Sequence, residues 1–168
     1  LTIDTNIQLF VEEVIQSIVT ISSPEWVTIV AADAKTGAIL GSASSPSFNP
    51  NVRDITSYVD PLVSTTYEPG STMKIFTYMA ALESGNYVGT DTYSSGSITF
   101  GDDTIKDWNE TGWGTITFDQ GFALSSNVGV STMLKRDIIS KKILKDYFKK
   151  LGFGSITGIT LSNEAKGT

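Results

Sequence analysis

The sequence predicts an α+β domain, an antiparallel sheet flanked by helices, that is short of strands. Three observations predict it. A helix-period segment opens the chain and gives way to two adjacent runs of β-branched and small apolar residues around a glycine-containing turn. Further helix-period segments follow around residues 71–84, 117–135 and 140–151. Only the first two strands are convincing neighbours, and a two-stranded hairpin is marginal by itself, so the fold needs strands that the sequence does not supply. The whole chain, residues 1–168, is read as one partial domain.

Thr5 and Gln8 have capping-box spacing, and Ile7, Phe10, Val11, Val14, Ile15 and Ile18 recur at helical intervals, which predicts a helix from about Asn6 to Thr20. Ser22-Ser23-Pro24 breaks it. Trp26 to Ala32 and Ala38 to Leu40 read as hairpin strands about the turn Asp33-Ala34-Lys35-Thr36-Gly37. Residues 41–70 shift to Ser, Pro, Asn and Thr, a connection far longer than usual, and long ordered loops tend to be functional. From Ser71 to Ser84 the apolar residues Met73, Ile75, Phe76, Met79, Ala80 and Leu82 lie almost all round a helix, which predicts one buried in the middle of the domain and closed by Gly85. Asn86 to Gly114 reads as loops and short strands, with Trp108 and Trp113 flanking a turn. Thr117 and Gln120 form a second capping-box pair, and the helix starting there is interrupted around Ser125 to Asn127 before resuming toward Lys135. Ser140 to Leu151 carries Ile143, Leu144, Tyr147, Phe148 and Leu151 on one face and lysines on the other, an amphipathic helix with a solvated basic face, ended by Gly152.

Composition removes several function classes. With 40% hydrophobic residues the chain has material for a core. Twelve basic against 18 acidic residues give a net charge of -6, which argues against a nucleic-acid partner. There is no cysteine and no histidine, so disulfides and thiolate chemistry are excluded, and the commonest general base and metal ligand is missing. No metal or organic cofactor is expected, and catalysis has to run on hydroxyl, lysine, carboxylate and amide groups. No apolar run approaches the roughly 18 residues that cross a bilayer, and the start at Leu1 lacks signal-peptide character. The chain is expected to be soluble, with any anchor lying in a longer parent.

Ser71 follows Pro69-Gly70 at the start of the central helix, where a serine ordinarily serves as an N-cap. Lys74, three residues on, places an amine on the same helix face one turn away. A desolvated lysine loses proton affinity, and a neutral amine beside a serine is a competent general base for attack on a carbonyl. Ser125-Ser126-Asn127 supplies a second hydroxyl able to relay a proton and an amide able to hold a peptide carbonyl. Ser47-Phe48-Asn49 and Ser84-Gly85-Asn86 share the Ser-x-Asn pattern, so spacing alone does not choose among them.

Together the two elements resemble the penicillin-binding proteins, whose signatures are Ser-x-x-Lys, Ser-x-Asn and Lys-Thr-Gly. The resemblance is wider than the motifs. Tyr67-Glu68-Pro69-Gly70-Ser71-Thr72-Met73-Lys74 is similar to the nucleophile segment of the class B, monofunctional members. Asp107-Trp108, Gly112-Trp113-Gly114, Thr115 to Thr117 and Gly121 to Gly129 resemble the stretch leading to and containing the second motif. Ala32 to Leu40 is similar to the opening hairpin, and Thr157-Gly158-Ile159 with Glu164 and Gly167 to the segment after the second motif. Lys35-Thr36-Gly37 matches the third motif as a string, but it precedes the nucleophile and is read as a turn. Lys166-Gly167-Thr168 has the wrong order. The third motif is therefore expected on a strand beyond this chain.

The resemblance implies the N-terminal part of a serine β-lactamase/penicillin-binding-protein transpeptidase fold, in a D,D-transpeptidase that cross-links peptidoglycan on the extracellular face of the bacterial cytoplasmic membrane. By that resemblance Ser71 is the nucleophile, Lys74 its base, Ser125 a proton relay and Asn127 a substrate-binding residue. The implied partners are stem peptides ending in D-Ala-D-Ala, β-lactam antibiotics, and either the remaining C-terminal part of the domain or a swapped copy. The missing strand would supply an oxyanion N–H and a basic residue for the substrate carboxylate, so the fragment alone is expected to be weakly active or inactive. A division-type setting is the implied biology. The alternatives keep the fold: a D,D-carboxypeptidase or β-lactamase with water as acceptor, or a penicillin-sensor or catalytically dead module.

Overall fold

The computed structural model describes residues 2–52, 54, 55 and 57–167. Leu1, two residues of the long connection, and Thr168 of the Lys166-Gly167-Thr168 string lie outside them. The chain forms two compact units, Leu1–Thr66 with Ile156–Lys166, and Tyr67–Ser155 with Gly167–Thr168.

In the first unit, α1 spans Thr5–Ser22. Its cap differs from the expected one. Asp4, not Thr5, accepts the free amides of Asn6 and Ile7 at 2.9 and 3.0 Å, because a carboxylate at the N-terminus satisfies both the orphan N–H groups and the helix dipole. Gln8 is thereby released to reach β2, where its amide accepts from the Ser42 N–H and donates to the Ser42 carbonyl, both at 2.9 Å. The side chain mimics a neighbouring strand and closes that sheet edge. Strand β1 (Val27–Ala32) pairs antiparallel with β2 (Ile39–Ser45), from Val27↔Ser45 to Ala32↔Ile39, with an irregularity between Ala31 and Ala32. β2 is longer than predicted and takes in the first residues of what reads as loop. Between the strands, Asp33 Oδ1 accepts from the amides of Lys35 and Thr36 at 3.0 and 2.7 Å, and Gly37 has φ 73°. Lys35-Thr36-Gly37 is a turn, as expected. A short helix, α2 (Pro61–Ser64), and a loop gathered by Glu164, whose carboxylate accepts from Thr157 and Gly158, complete the unit.

The second unit opens with a 3-10 turn at Gly70–Thr72 that runs into α3 (Met73–Glu83). Then come β3 (Thr92–Ser94), β4 (Ser97–Phe100), β5 (Asp103–Lys106), β6 (Thr115–Thr117), α4 (Phe118–Ala123), α5 (Asn127–Lys135) and α6 (Lys141–Lys150). β3 pairs with β6 and β4 with β5, both antiparallel. The mixed helix-and-sheet class is as predicted, but the sheet is divided among three two-stranded ladders, and two of them fall where the composition is turn-like. The capping box at Thr117 and Gln120 is present, and Ser140 caps α6.

Phe118, Val128, Met133 and Ile139 are fully buried and form the centre of the core, with Tyr78, Tyr93 and Tyr147 around them. Tyr93 stacks on Phe118 with ring centroids 5.1 Å apart. The prediction of an α3 buried all round is corrected. Thr77, Tyr78, Ala80 and Ala81 face this core, whereas Ile75 and Leu82 on the opposite side are 51% and 60% exposed. Apolar composition cannot tell which side is covered, since that depends on what packs against it.

Candidate active site

Ser71 sits in the 3-10 turn, exposed, with the positive-φ Gly70 (60°) before it. It is not an N-cap. Neither the 3-10 turn nor α3 has a side-chain capping bond, and the Thr72 hydroxyl donates to the Pro69 carbonyl at 2.7 Å. The ordinary structural reason for a serine here is therefore absent.

Lys74, in the first turn of α3, is half-buried. Its ammonium donates to the Ser125 carbonyl at 2.6 Å and to the Ser125 hydroxyl at 3.1 Å, across 51 residues of sequence. Burial lowers the lysine below its ordinary pKa, and the negative charge of Asp107 partly opposes that shift.

Ser125 has φ 55°, a left-handed conformation that costs a residue with a Cβ about 1 kcal/mol or more. Ser126 and Asn127 then begin α5. The fully buried Ser126 caps the helix, accepting from Gly129 N–H at 2.8 Å, and donates to Asp107 Oδ1 at 2.8 Å. Asn127 donates Nδ2 to the Lys106 carbonyl at 2.9 Å, leaving one amide hydrogen and the carbonyl oxygen uncommitted. The structure thus brings Lys74 and Ser125 into contact and fixes Asn127 two residues away.

Asp107 was not singled out by the sequence beyond its place in the family-like stretch, because nothing in spacing distinguishes it from Asp102 or Asp103. Only the fold shows it to be 2% exposed. Besides the Ser126 hydroxyl, its carboxylate accepts from Val128 N–H at 3.0 Å and Gly96 N–H at 2.9 Å. Desolvation pushes its pKa up, but the accepted hydrogen bonds outweigh it and hold the group below the usual aspartate value. Gly96 reaches the carboxylate because two loops cross at glycines: a Cβ on Gly112 would stand 2.8 Å from the Gly96 Cα. The next residue, Trp108, is exposed and donates its indole N–H to the Leu124 carbonyl at 2.9 Å.

The other two Ser-x-Asn strings resolve as ordinary turns. Ser84 donates to the Ala81 carbonyl at the end of α3, and Asn49 accepts from the Asn51 amide. A wide groove of about 1570 Å³ in the first unit, lined among others by Gln8, Glu12, Trp26, Phe48 and Tyr58, contains none of the candidate residues. Among the described residues no cluster of three His, Cys, Asp or Glu is placed to hold a metal, and no helix is long and apolar enough to cross a membrane.

The family model described as the penicillin binding protein transpeptidase domain matches residues 27–168. The chain belongs to that family. It is 34% identical over 173 residues to the penicillin-binding protein PbpB of Mycobacterium tuberculosis, covering 99% of this chain and 25% of that protein. It is 35% identical to the stage V sporulation protein D of Bacillus subtilis, covering 99% and 26%, and 29% identical to the peptidoglycan D,D-transpeptidase FtsI of Escherichia coli, covering 99% and 28%. The chain spans about a quarter of the length of these relatives. A crystal structure of a peptidoglycan glycosyltransferase from Burkholderia ambifaria shares the fold, with a TM-score of 0.86 at 22% identity over 100% of this chain and 49% of that one. The class B transpeptidase-domain resemblance read from the sequence is borne out.

Proposed function

We propose that this chain carries the acylation machinery of a serine-type peptidoglycan D,D-transpeptidase, as one partial domain of a longer protein. The observation that supports it most is the contact of Lys74 with both oxygens of Ser125, one helical turn from an exposed serine that caps nothing. In the proposed reaction Ser71 Oγ attacks the carbonyl of the penultimate D-alanine of a stem peptide, and Lys74, neutral when it acts, takes the hydroxyl proton. The C–N bond breaks, the terminal D-alanine leaves with a proton passed through Lys74 and Ser125, and an acyl-Ser71 ester remains. An amine from a second stem peptide attacks the ester and restores the Ser71 hydroxyl. Asn127 offers its free amide groups to the donor peptide.

β-Lactams would acylate the same serine and persist, because the amine freed by ring opening stays tethered to the acyl group and keeps the place an acceptor would take. The chemistry would take place on the outer face of the cytoplasmic membrane, in a cell-division setting. Oxyanion stabilisation is incomplete without a strand bearing Lys-Thr-Gly after the second motif, so the isolated chain should be weakly active at most.

The test is labelling with a fluorescent penicillin, on this chain and on a version extended through such a strand, with the adduct located by mass spectrometry. An adduct on Ser71 in the extended protein alone is the expected result. A folded extended protein that stays unlabelled would overturn the reading in favour of a dead module.

A further inference from the structure

The turn that holds Lys74 is strained, and its shape has to be held by something. Ser125 contributes no side-chain bond to its own backbone. Its own amide and that of Ser126 donate to the Phe122 and Gly121 carbonyls at 3.0 and 2.8 Å; beyond these, the Ser126 hydroxyl and the Val128 amide both end on Asp107 Oδ1, and Oδ2 takes the Gly96 amide from the opposite loop. Three donors from two segments converge on one buried carboxylate, and Tyr93 closes the site from β3 with its hydroxyl buried.

We propose that Asp107 is a positioning residue for acylation: its carboxylate holds the Ser125–Asn127 turn in the shape that seats Lys74. The inference rests on the acylation reading above and deepens it. A residue serving stability alone would set the geometry and leave the lysine's proton equilibrium untouched, whereas the Asp107 charge opposes the fall that burial causes in the Lys74 pKa. The other titratable groups facing Asp107 are Tyr93 on β3 and Tyr78 on α3, both phenols that burial keeps neutral. Tyr87 and Asp119 bear on Tyr78 in turn.

Two consequences separate the roles. Removing the charge in Asp107→Asn lets desolvation act on Lys74 unopposed, so its pKa falls further and the acidic limb of the acylation rate moves to lower pH. Loosening the turn slows acylation at the plateau, by about 10- to 100-fold. Ser126→Ala removes the hydroxyl's bonds to Asp107 and to the Gly129 amide but keeps the charge, so it should slow acylation by about five- to tenfold and leave the limb in place.

The experiment measures the rate of Ser71 acylation by a fluorescent penicillin against pH, in the full-length protein and these two variants, with thermal melting as the check of folding. A slower plateau with a limb moved to lower pH in Asp107→Asn, and a slower plateau alone in Ser126→Ala, is the expected pattern. Folded Asp107→Asn with a limb in the wild-type position, or with a rate within about twofold of wild type, overturns the proposal. Should that variant not fold, Ser126→Ala decides: an unchanged rate overturns the positioning role and a slowed one supports it. Failure of the wild-type protein to form any Ser71 adduct overturns the acylation reading itself, and this inference with it.

Discussion

The two serine-bearing turns of the second unit are built in opposite ways. Ser71 stands exposed on a 3-10 turn with no capping bond, while Ser125 sits in a left-handed turn whose following residues are tied to a buried carboxylate. On the proposed reading, the serine that meets the substrate is left exposed and without a capping bond, and the lysine is held against a constrained turn. The strain lies at that Ser125 turn, where the buried bonds of Asp107 offset it.

Changes on the Ser71 side should break activity without touching the fold. Ser71→Ala is expected to abolish penicillin labelling of the extended protein, a loss of at least about 10³-fold, while its melting temperature stays at the wild-type value, since no cap is lost. A clear drop in melting temperature would show that Ser71 has a structural duty after all. Lys74→Ala should slow labelling by about 10² to 10⁴, the range of a removed general base, read from the same assay under saturating probe.

Changes on the Ser125 side should cost stability as well. A Cβ on Gly129 would lie 2.7 Å from the Tyr93 hydroxyl, and one on Gly121 would collide with the same atom. Gly129→Ala is therefore expected to destabilise by about 1–3 kcal/mol, measured by urea unfolding, and Tyr93→Phe added to it should recover part of the loss. Tyr93→Phe alone is the smallest effect. It removes a buried hydroxyl that sits beside the Ser126 side chain without a well-formed hydrogen bond, so stability should hold within about 1 kcal/mol.

Acid sensitivity sharpens the contrast further. The folded state holds the Asp107 pKa down, so its stabilising contribution is complete above the ordinary aspartate value of about 3.9 and is lost as pH falls through the lowered value. In a pH series of unfolding midpoints, Asp107→Asn should be flatter than wild type over that acidic range. Equal slopes would mean that the carboxylate is not what the turn depends on.

The helices were legible because each carries its own periodicity and punctuation: the Thr117 capping box, the break at Ser125 to Asn127, and Gly152 after α6 are local signals that the fold obeys. Asp4 took the place of the predicted cap of α1, and Gln8, freed from the capping box, bonds to β2, a long-range contact that no local pattern announces. The short strands β3 to β6 were hard to place for a similar reason. With three or four residues each, they exist through pairing and not through propensity.

For the candidate site, the sequence by itself determined the cast. Ser71 and Lys74 stand three residues apart on a helix, and that separation survives any tertiary arrangement because it is set by the helical repeat. It also excluded histidine and cysteine chemistry outright. What only the tertiary structure decided is which of three Ser-x-Asn strings meets the lysine, and which of the chain's acids is buried behind that string. Contacts spanning 51 residues for Lys74 with Ser125, and 19 for Ser126 with Asp107, form when the core around Phe118 and Val128 closes, and burial then turns an unremarked aspartate into the anchor of the Ser125–Asn127 turn.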